Sequence, residues 1–354
     1  MELMLNLENL DMYKDKKILI TGNTGFKGAW LSRILTLVGA KVYGIALDPE
    51  KNSLFDRLQN ISIEKQFIID VRNQKEIDAF FEKNTFDGIF HLAAQPLVLD
   101  SYAIPVETFE VNFNGSINIL NSILKFKSSS WIIMVTTDKV YKIKDDLKSY
   151  SESDALGGQD PYSASKAAVE LAISVWRNYF LKMDSPIGIV SVRAGNVIGG
   201  GDNAKYRLLP DIFRSISNNS KLKIRNPNSI RPWQHVLEPI SGYLMVGIHL
   251  INDQNTSPAY NFGPSIESKL RVYDVAEYVF KKLNRSLKLI EIENNELYEA
   301  EYLWLDSSLA QQELGWKRKL SVYQSIDWTI EWEQESLAKH PLEILDSQIE
   351  RYFG

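Results

Sequence analysis

Tyr162 and Lys166 stand four residues apart, directly after Asp160-Pro161. Proline suits the first turn of a helix, and the polar residues around it suit an N-terminus. On a helix, positions i and i+4 share a face, so the phenol and the ammonium point the same way. A tyrosine keeps its proton to about pH 10. A neighbouring cation favours the phenolate and brings the group nearer neutrality. Such a pair makes a base for a hydroxyl group. The spacing alone also fits an ordinary surface pair, so the reading rests on what precedes it.

Lys17-Ile18-Leu19-Ile20 reads as a short buried strand. Thr21-Gly22-Asn23-Thr24-Gly25-Phe26-Lys27-Gly28 follows at once. Trp30, Leu31, Ile34, Leu35 and Val38 then form an apolar stripe at helical spacing, and Gly39 suits the C-cap. Glycines in this Gly-x-x-Gly-x-x-Gly spacing let the backbone turn tightly and approach a pyrophosphate seated on the helix N-terminus. Val42-Tyr43-Gly44-Ile45-Ala46 reads as the second strand, with Asp48 at its end. An acid about 20 residues past the glycines binds the ribose hydroxyls of NAD. A carboxylate there also repels a 2′-phosphate, so NAD is expected over NADP.

The alternation continues. Phe67-Ile68-Ile69 leads to Asp70, placed for an adenine amino group. Gly88-Ile89-Phe90-His91-Leu92 is followed by Ala93-Ala94, small enough for the backbone to lie against a cofactor. Trp131 to Val135 runs into Thr136-Thr137-Asp138-Lys139, and Ile187 to Val192 makes the next strand. Short apolar strands alternating with helices mean a parallel sheet covered on both faces. Ligands then bind at the carboxyl ends of the strands, where Thr137, Asp138, Lys139, Arg193 and Asn196 stand. Asp138-Lys139 also fits an ordinary solvated turn.

Composition sets the bounds. At 354 residues the chain can bury a large core, in one sizeable domain or two interlocked ones. A formal charge of −5 gives no basic footprint for nucleic acid. With no cysteine there is no disulfide, thiol nucleophile or thiolate metal site. His91, His235, His249 and His340 lie far apart and show no ligand spacing, so no metal is expected. No apolar run reaches membrane length, and the opening residues lack a signal-peptide h-region, so a cytoplasmic soluble protein is expected. The acidic tail from Glu331 reads as a solvated helix. Trp233 and Tyr302 suit the core better than a ligand.

The glycine turn, the Tyr-x-x-x-Lys pair and the length together resemble the extended short-chain dehydrogenase/reductase family, in its sugar-nucleotide branch. Within that branch the chain is similar to the CDP-glucose 4,6-dehydratases. The resemblance is carried by Gly22 to Gly28, by Thr136-Thr137-Asp138-Lys139-Val140-Tyr141, by Arg193 to Asp202 and by Arg231-Pro232-Trp233-Gln234-His235-Val236. Leu54-Phe55, Leu305-Asp306 and Leu314-Gly315-Trp316 fit as well. Two departures stand out: Asn23 where the family usually has histidine, and Asn203 where an aromatic residue usually follows the Gly-Gly-Gly-Asp run. Lys139 is what the CDP group looks like, since the dTDP enzymes carry glutamate there.

The resemblance implies an α/β fold, a Rossmann-type doubly wound parallel sheet with a smaller C-terminal substrate-binding domain. Residues 1–194 would form the NAD-binding domain and 195–354 mainly the sugar-nucleotide domain, with segments near 233–262 returning to the first. It implies NAD held by Gly22, Thr24, Gly25, Phe26, Gly28, Asp48, Asp70, Val71, Leu92, Ala93, Ala94, Tyr162 and Lys166. The implied substrate is CDP-glucose, met by Asn196, Arg207, Arg231 and His235. Tyr162 would take the proton of the 4-hydroxyl during oxidation at C4, with Thr137 holding the oxygen. Asp138 would be the acid for loss of water across C5 and C6. Lys139 would be either the base at C5 or a stabiliser of the enolate. A homodimer through two helices per subunit is implied too, as is a place in deoxysugar polysaccharide biosynthesis. Three readings stay open beside this one: a 4,6-dehydratase of another nucleotide sugar, a C4 epimerase or 4-reductase of the same family, which lacks an acid–base pair for elimination, and a non-catalytic dinucleotide sensor.

Overall fold

The apolar runs become strands of one parallel sheet. In the computed structural model, the described residues are 9–59, 61–143, 149–183, 187–252, 255–265, 268–293 and 303–354. The strands are β1 (Lys17–Thr21), β2 (Lys41–Ala46), β3 (Lys65–Ile68), β4 (Gly88–His91), β5 (Trp131–Val135) and β6 (Gly188–Ala194), and Ala259–Phe262 adds a seventh beside β6. Across the sheet the order is Ala259–Phe262, β6, β5, β4, β1, β2, β3, and every neighbouring pair runs parallel. Residues of β4 and β5 are buried throughout, as expected of strands covered on both faces. The strand order reverses between β1 and β4, so a crevice opens beyond their carboxyl ends. This is the expected Rossmann-type doubly wound sheet.

One face of the sheet is covered by the helices Phe26–Leu37 and Leu237–Ile251, through Trp30, Leu31, Ile34, Ile240 and Leu244. The other face is covered by Gln74–Lys83, Gly115–Phe126 and Pro161–Phe180, through Phe80, Ile119, Ile123, Val169 and Ile173. Beyond β6 a smaller apolar core gathers Ile198, Leu209, Ile212, Leu222, Trp233, Val279 and Ile326. Short strand pairs stitch that part together: Val197–Ile198 with Gln234–His235, Ile230–Arg231 with Leu270–Arg271, and Leu222–Ile224 with Ile290–Ile292. Among the described residues no helix is long and apolar enough to cross a membrane.

The tail corrects the sequence reading. It forms the helices Val322–Glu335 and Pro341–Phe353, and Trp332, Leu345, Ile349 and Phe353 are buried in the same core as Trp30. Leu345, Ile349 and Phe353 recur every four residues, which makes an apolar stripe beneath the acidic face. Arg33 of the nucleotide-side helix grips Asp346 with two hydrogen bonds, of 2.7 and 2.6 Å.

Glu238 ties the tail down from below. One carboxylate oxygen accepts from the backbone N–H groups of Lys319 and Leu320, at 3.0 and 2.7 Å, and the other accepts from the Tyr352 hydroxyl at 3.1 Å. Burial pushes this carboxyl up to about 7, against the pull of those donors. The folded state therefore keeps a proton that the unfolded chain releases above its ordinary value of 4.5. The sign follows: stability falls as pH rises through that window. Glu238→Gln keeps an acceptor and removes the titration. Urea midpoints measured between about pH 4.5 and about pH 8 should fall less for this variant than for the parent. Equal falls in the two proteins would show that Glu238 does not titrate there.

Candidate active site

Tyr162 and Lys166 lie in the first turns of Pro161–Phe180, whose N-cap Asp160 accepts from the Ser163 N–H at 2.9 Å. Both are buried, and the Lys166 ammonium donates to the Val135 carbonyl at 3.3 Å, at the end of β5. Burial pulls that amine down to about 8, while Glu170 one turn further opposes the shift. Burial pushes the Tyr162 phenol up to about 12, and the Thr137 hydroxyl and the Arg207 charge pull against it. The expectation that Lys166 brings the phenol toward neutrality is not met in this arrangement. Desolvation outweighs the cations, and the guanidinium that favours the phenolate is Arg207.

Thr137, Asp138 and Lys139 follow β5 into a single helical turn, Asp138–Val140. The Thr137 hydroxyl donates to Asp138 Oδ1 at 3.0 Å, and the Lys139 ammonium stands 3.6 Å from the same oxygen. Asp138 has a side chain only 1% exposed, and its Oδ2 has no hydrogen-bond partner among the described residues. A solvated turn would not bury a carboxylate oxygen in this way.

The glycine turn forms the opposite wall. Gly22 has φ +71°, and a Cβ on it would lie 2.7 Å from the Ala93 nitrogen. One on Gly28 would lie 2.2 Å from the Gly22 carbonyl oxygen. Only glycine allows so tight a turn. The helix Phe26–Leu37 begins after Gly25 with no side-chain cap, which leaves its first N–H groups for an anion. Leu92 and Ala93 are anchored beside the turn by bonds of 3.0 and 3.2 Å to Thr21, and Ala94 follows them. Thr24 donates to Leu47 at 3.3 Å, and Asp48 stands exposed just beyond. Asn23, in the place of the family's histidine, donates to Gln66 at 2.6 Å and so braces the turn against β3. Val71 packs close to Gly115. Arg72 chelates Asp70 at 2.7 to 3.1 Å, so an adenine amino group there would share that carboxylate. Cradle, uncapped helix and acid together fit a dinucleotide.

The expected substrate residues divide. Asn196 Oδ1 is buried with no partner among the described residues, a vacancy suited to a ligand donor. Arg207 directs one nitrogen at both oxygens of Asp202, at 2.9 Å each. Arg231 is buried in its short strand and donates to the Ile230 carbonyl at 3.2 Å. The structure places His235 in the core. It is wholly buried, edge-on to Trp30 and Trp328 at 5.7 and 5.6 Å, and burial pulls it down to about 3. A ring enclosed by two indoles is a core residue. Trp233 is buried as expected, and Tyr302 lies outside the described residues.

Arg193 is taken up by its neighbours. It donates to Glu170 at 2.9 and 2.7 Å and to the Tyr141 hydroxyl at 2.8 Å. Glu170 also accepts from Thr136 at 2.5 Å and Ser191 at 2.8 Å. Sequence reasoning missed Glu170, although Tyr162, Lys166 and Glu170 share one i, i+4 stripe. It also missed Lys27, a lysine inside the glycine turn. The Lys27 amine is drawn down to about 8, first by burial, in the company of Arg207, Asp138, Lys166 and Asp202.

Comparisons with known proteins fit this geometry. A family model described as GDP-mannose 4,6 dehydratase matches residues 19–329. The chain is 39% identical over 328 residues to a CDP-glucose 4,6-dehydratase of Salmonella typhimurium, covering 91% of each. A UDP-glucose 4-epimerase of Pisum sativum is 24% identical over 332 residues, 87% of this chain and 92% of that one. Among solved structures, a dTDP-glucose 4,6-dehydratase of Streptomyces venezuelae with NAD bound superposes with TM-score 0.79 at 20% identity, covering 90% of this chain and 97% of that one.

The Glu170–Arg193 pair holds the site together, so removing one partner leaves a buried charge alone. Glu170→Ala should cost about 3–5 kcal/mol of folding stability, read from denaturant unfolding. A loss below about 1 kcal/mol would mean that the pair is dispensable to the fold.

Proposed function

We propose that this chain, which belongs to the GDP-mannose 4,6-dehydratase family, removes water from CDP-glucose to give CDP-4-keto-6-deoxyglucose, with NAD as its resident cofactor. One observation carries the reading: Thr137, Asp138 and Lys139 form one connected chain of side chains just beyond β5, and Tyr162 faces Thr137 from the neighbouring helix. A base for oxidation and a carboxylate–amine pair for elimination are thus joined at one place. The identity to a CDP-glucose dehydratase and the lysine at position 139 support the CDP base.

Tyr162 takes the proton of the sugar 4-hydroxyl, and Thr137 holds the oxygen it leaves. Thr137 has one proton to give. It donates to Asp138 at rest and turns to Tyr162 when the phenolate forms. NAD, held by the glycine turn with Asp48 and Lys166, would supply the hydride chemistry between C4 and C6. The new ketone acidifies the C5 proton. Asp138 delivers a proton to the 6-hydroxyl, which departs as water; Lys139, as the base, takes the C5 proton and returns it to C5 as hydride reaches C6. Arg207 and Arg231 meet the diphosphate as planar forks, and Asn196 meets the sugar nucleotide through its open oxygen. Residues 1–194 hold the dinucleotide, with the helix Leu237–Ile251 and the strand Ala259–Phe262 returning to that part, and residues 195–354 otherwise hold the sugar nucleotide. An epimerase or reductase needs Tyr162 and Lys166 but has no use for a buried Asp138 beside Lys139.

Two copies pair through the helices Gly115–Phe126 and Pro161–Phe180. Leu171, Val175 and Tyr179 are about half exposed or more, and with Phe113, Ile117 and Trp176 the first two line a groove of about 650 Å³ on the outer face of the Tyr162 helix. Apolar area of that kind favours association. Leu171→Glu should shift sedimentation from paired to single chains, and a parent that sediments as a single chain would refute the pairing.

The function is tested by dividing the reaction. Tyr162→Phe should lower turnover of CDP-glucose by about 10²–10⁴-fold. Asp138→Asn keeps the size of the side chain but removes the acid. It should still oxidise C4, so the reduced nicotinamide absorbance builds up in a single turnover while the 4-keto-6-deoxy product forms slowly. Product at the parent's rate from Asp138→Asn would overturn the dehydratase reading of this pair.

A further inference from the structure

Arg207 precedes the helix Leu208–Ser217 and faces the same cleft as Tyr162 and Lys27. A long arginine side chain in an open cleft samples many rotamers, and a ligand must freeze them. Here the freezing is already done. Nη1 donates to Oδ1 and Oδ2 of Asp202 at 2.9 Å each, and the side chain remains 32% exposed. Nη2 and Nε carry no hydrogen bond among the described residues. One nitrogen is held and the other edge of the fork stays available, so an anion need not displace Asp202 to bind.

Asp202 is itself a fixed post. Its side chain is 5% exposed, and Oδ1 also accepts from the Ala204 N–H at 3.2 Å. The loop that carries it is clamped from two sides. The Trp30 indole donates to the Gly200 carbonyl at 3.1 Å, and Trp332 lies so close that a Cβ on Gly200 would stand 1.9 Å from its ring. The anchors of this loop therefore come from the nucleotide-side helix and from the C-terminal tail.

We propose that Asp202 is the positioning residue for Arg207, holding its guanidinium by one nitrogen so that the remaining N–H edge takes the diphosphate of the sugar nucleotide. The proposal rests on the reading of Arg207 as a diphosphate ligand. Asp202 touches no substrate in this account, and its whole effect passes through Arg207.

The test measures CDP and NAD binding by calorimetry, and steady-state kinetics with CDP-glucose, for Arg207→Ala, Asp202→Asn and the double variant. Arg207→Ala should weaken CDP binding by about tenfold or more, the scale of a lost charge-assisted hydrogen bond. Asp202→Asn should weaken CDP binding about fivefold, with KM rising more than kcat falls and NAD affinity unchanged. The double variant should bind CDP no more weakly than Arg207→Ala alone. If Arg207→Ala leaves CDP affinity unchanged, the reading of Arg207 fails and the proposal falls with it. If Arg207→Ala weakens CDP but Asp202→Asn does not, the reading of Arg207 stands and the proposal is wrong. A parallel loss of NAD affinity in Asp202→Asn, or additive losses in the double variant, would also overturn it, because the carboxylate would then act on the loop or on the ligand directly.

Discussion

The site depends on the buried pair Arg193–Glu170. Glu170 sits on the helix that carries Tyr162 and Lys166, and Arg193 sits on β6. Between them they bind Thr136 at the end of β5, Ser191 in β6 and Tyr141 beyond the Asp138 turn. Tyr141 in turn donates to Asn261 of the seventh strand at 2.7 Å. Three adjacent strands and the helix that carries Tyr162 and Lys166 are thus fixed to one another, two of the strands by charge-assisted bonds and the seventh through Tyr141. Hydrophobic packing of equal volume would stabilise the fold at least as well, since two buried charges lose their hydration. What packing cannot supply is direction. A guanidinium fork admits few geometries, and Lys166 and Tyr162, one and two turns from Glu170, inherit that precision.

A second constraint is charge. The chain carries a formal charge of −5, yet Lys27, Lys166, Lys139 and Arg207 converge on one cleft. Repulsion and burial draw Lys27 down to about 8, and burial does the same to Lys166. Asp138 and Asp202 offset part of that charge, and both are buried. A cleft built this way is poised for anions, because each bound phosphate relieves repulsion that the free protein sustains. Of these cations Arg207 favours the Tyr162 phenolate, against a burial that pushes the phenol up to about 12.

Local patterns made much of this readable. The turn from β1 into its helix, the Tyr162–Lys166 spacing and the position of Asp138 after β5 depend on neighbours within a few residues. The sheet was readable too, because strands buried on both faces show as apolar runs. Whether His235 meets a ligand or packs in the core could not be read from its neighbours in sequence. The indoles that enclose it come from positions 30 and 328, almost the full chain apart. The tail was misread for a related reason. Its acidic residues dominate the composition, while Trp332 finds its partner in Gly200 and Asp346 finds Arg33. Arg193 stood at a ligand-bearing strand end, and nothing near it in sequence showed that Glu170 would claim it.

The misread contacts share a pattern with consequences for how the molecule works. Trp30, His235, Trp328 and Trp332 form one aromatic cluster, drawn from the nucleotide-side helix, the segment after the Arg231 strand, and the tail. Gly200 lies against it, and Asp202 and Arg207 follow. The cluster is therefore where the sheet's covering helix, the segment before the helix Leu237–Ile251 and the tail meet. Close-packed aromatic contacts of this kind transmit small displacements because they have few alternative arrangements. A shift of the helix Phe26–Leu37 at its uncapped N-terminus reaches Trp30 one turn later, and Trp30 is bonded to the loop that carries Asp202. Tail, turn and Arg207 are joined through this packing together with the Trp30–Gly200 and Asp202–Arg207 bonds, so the C-terminal segment helps to fix the loop on which Arg207 is held.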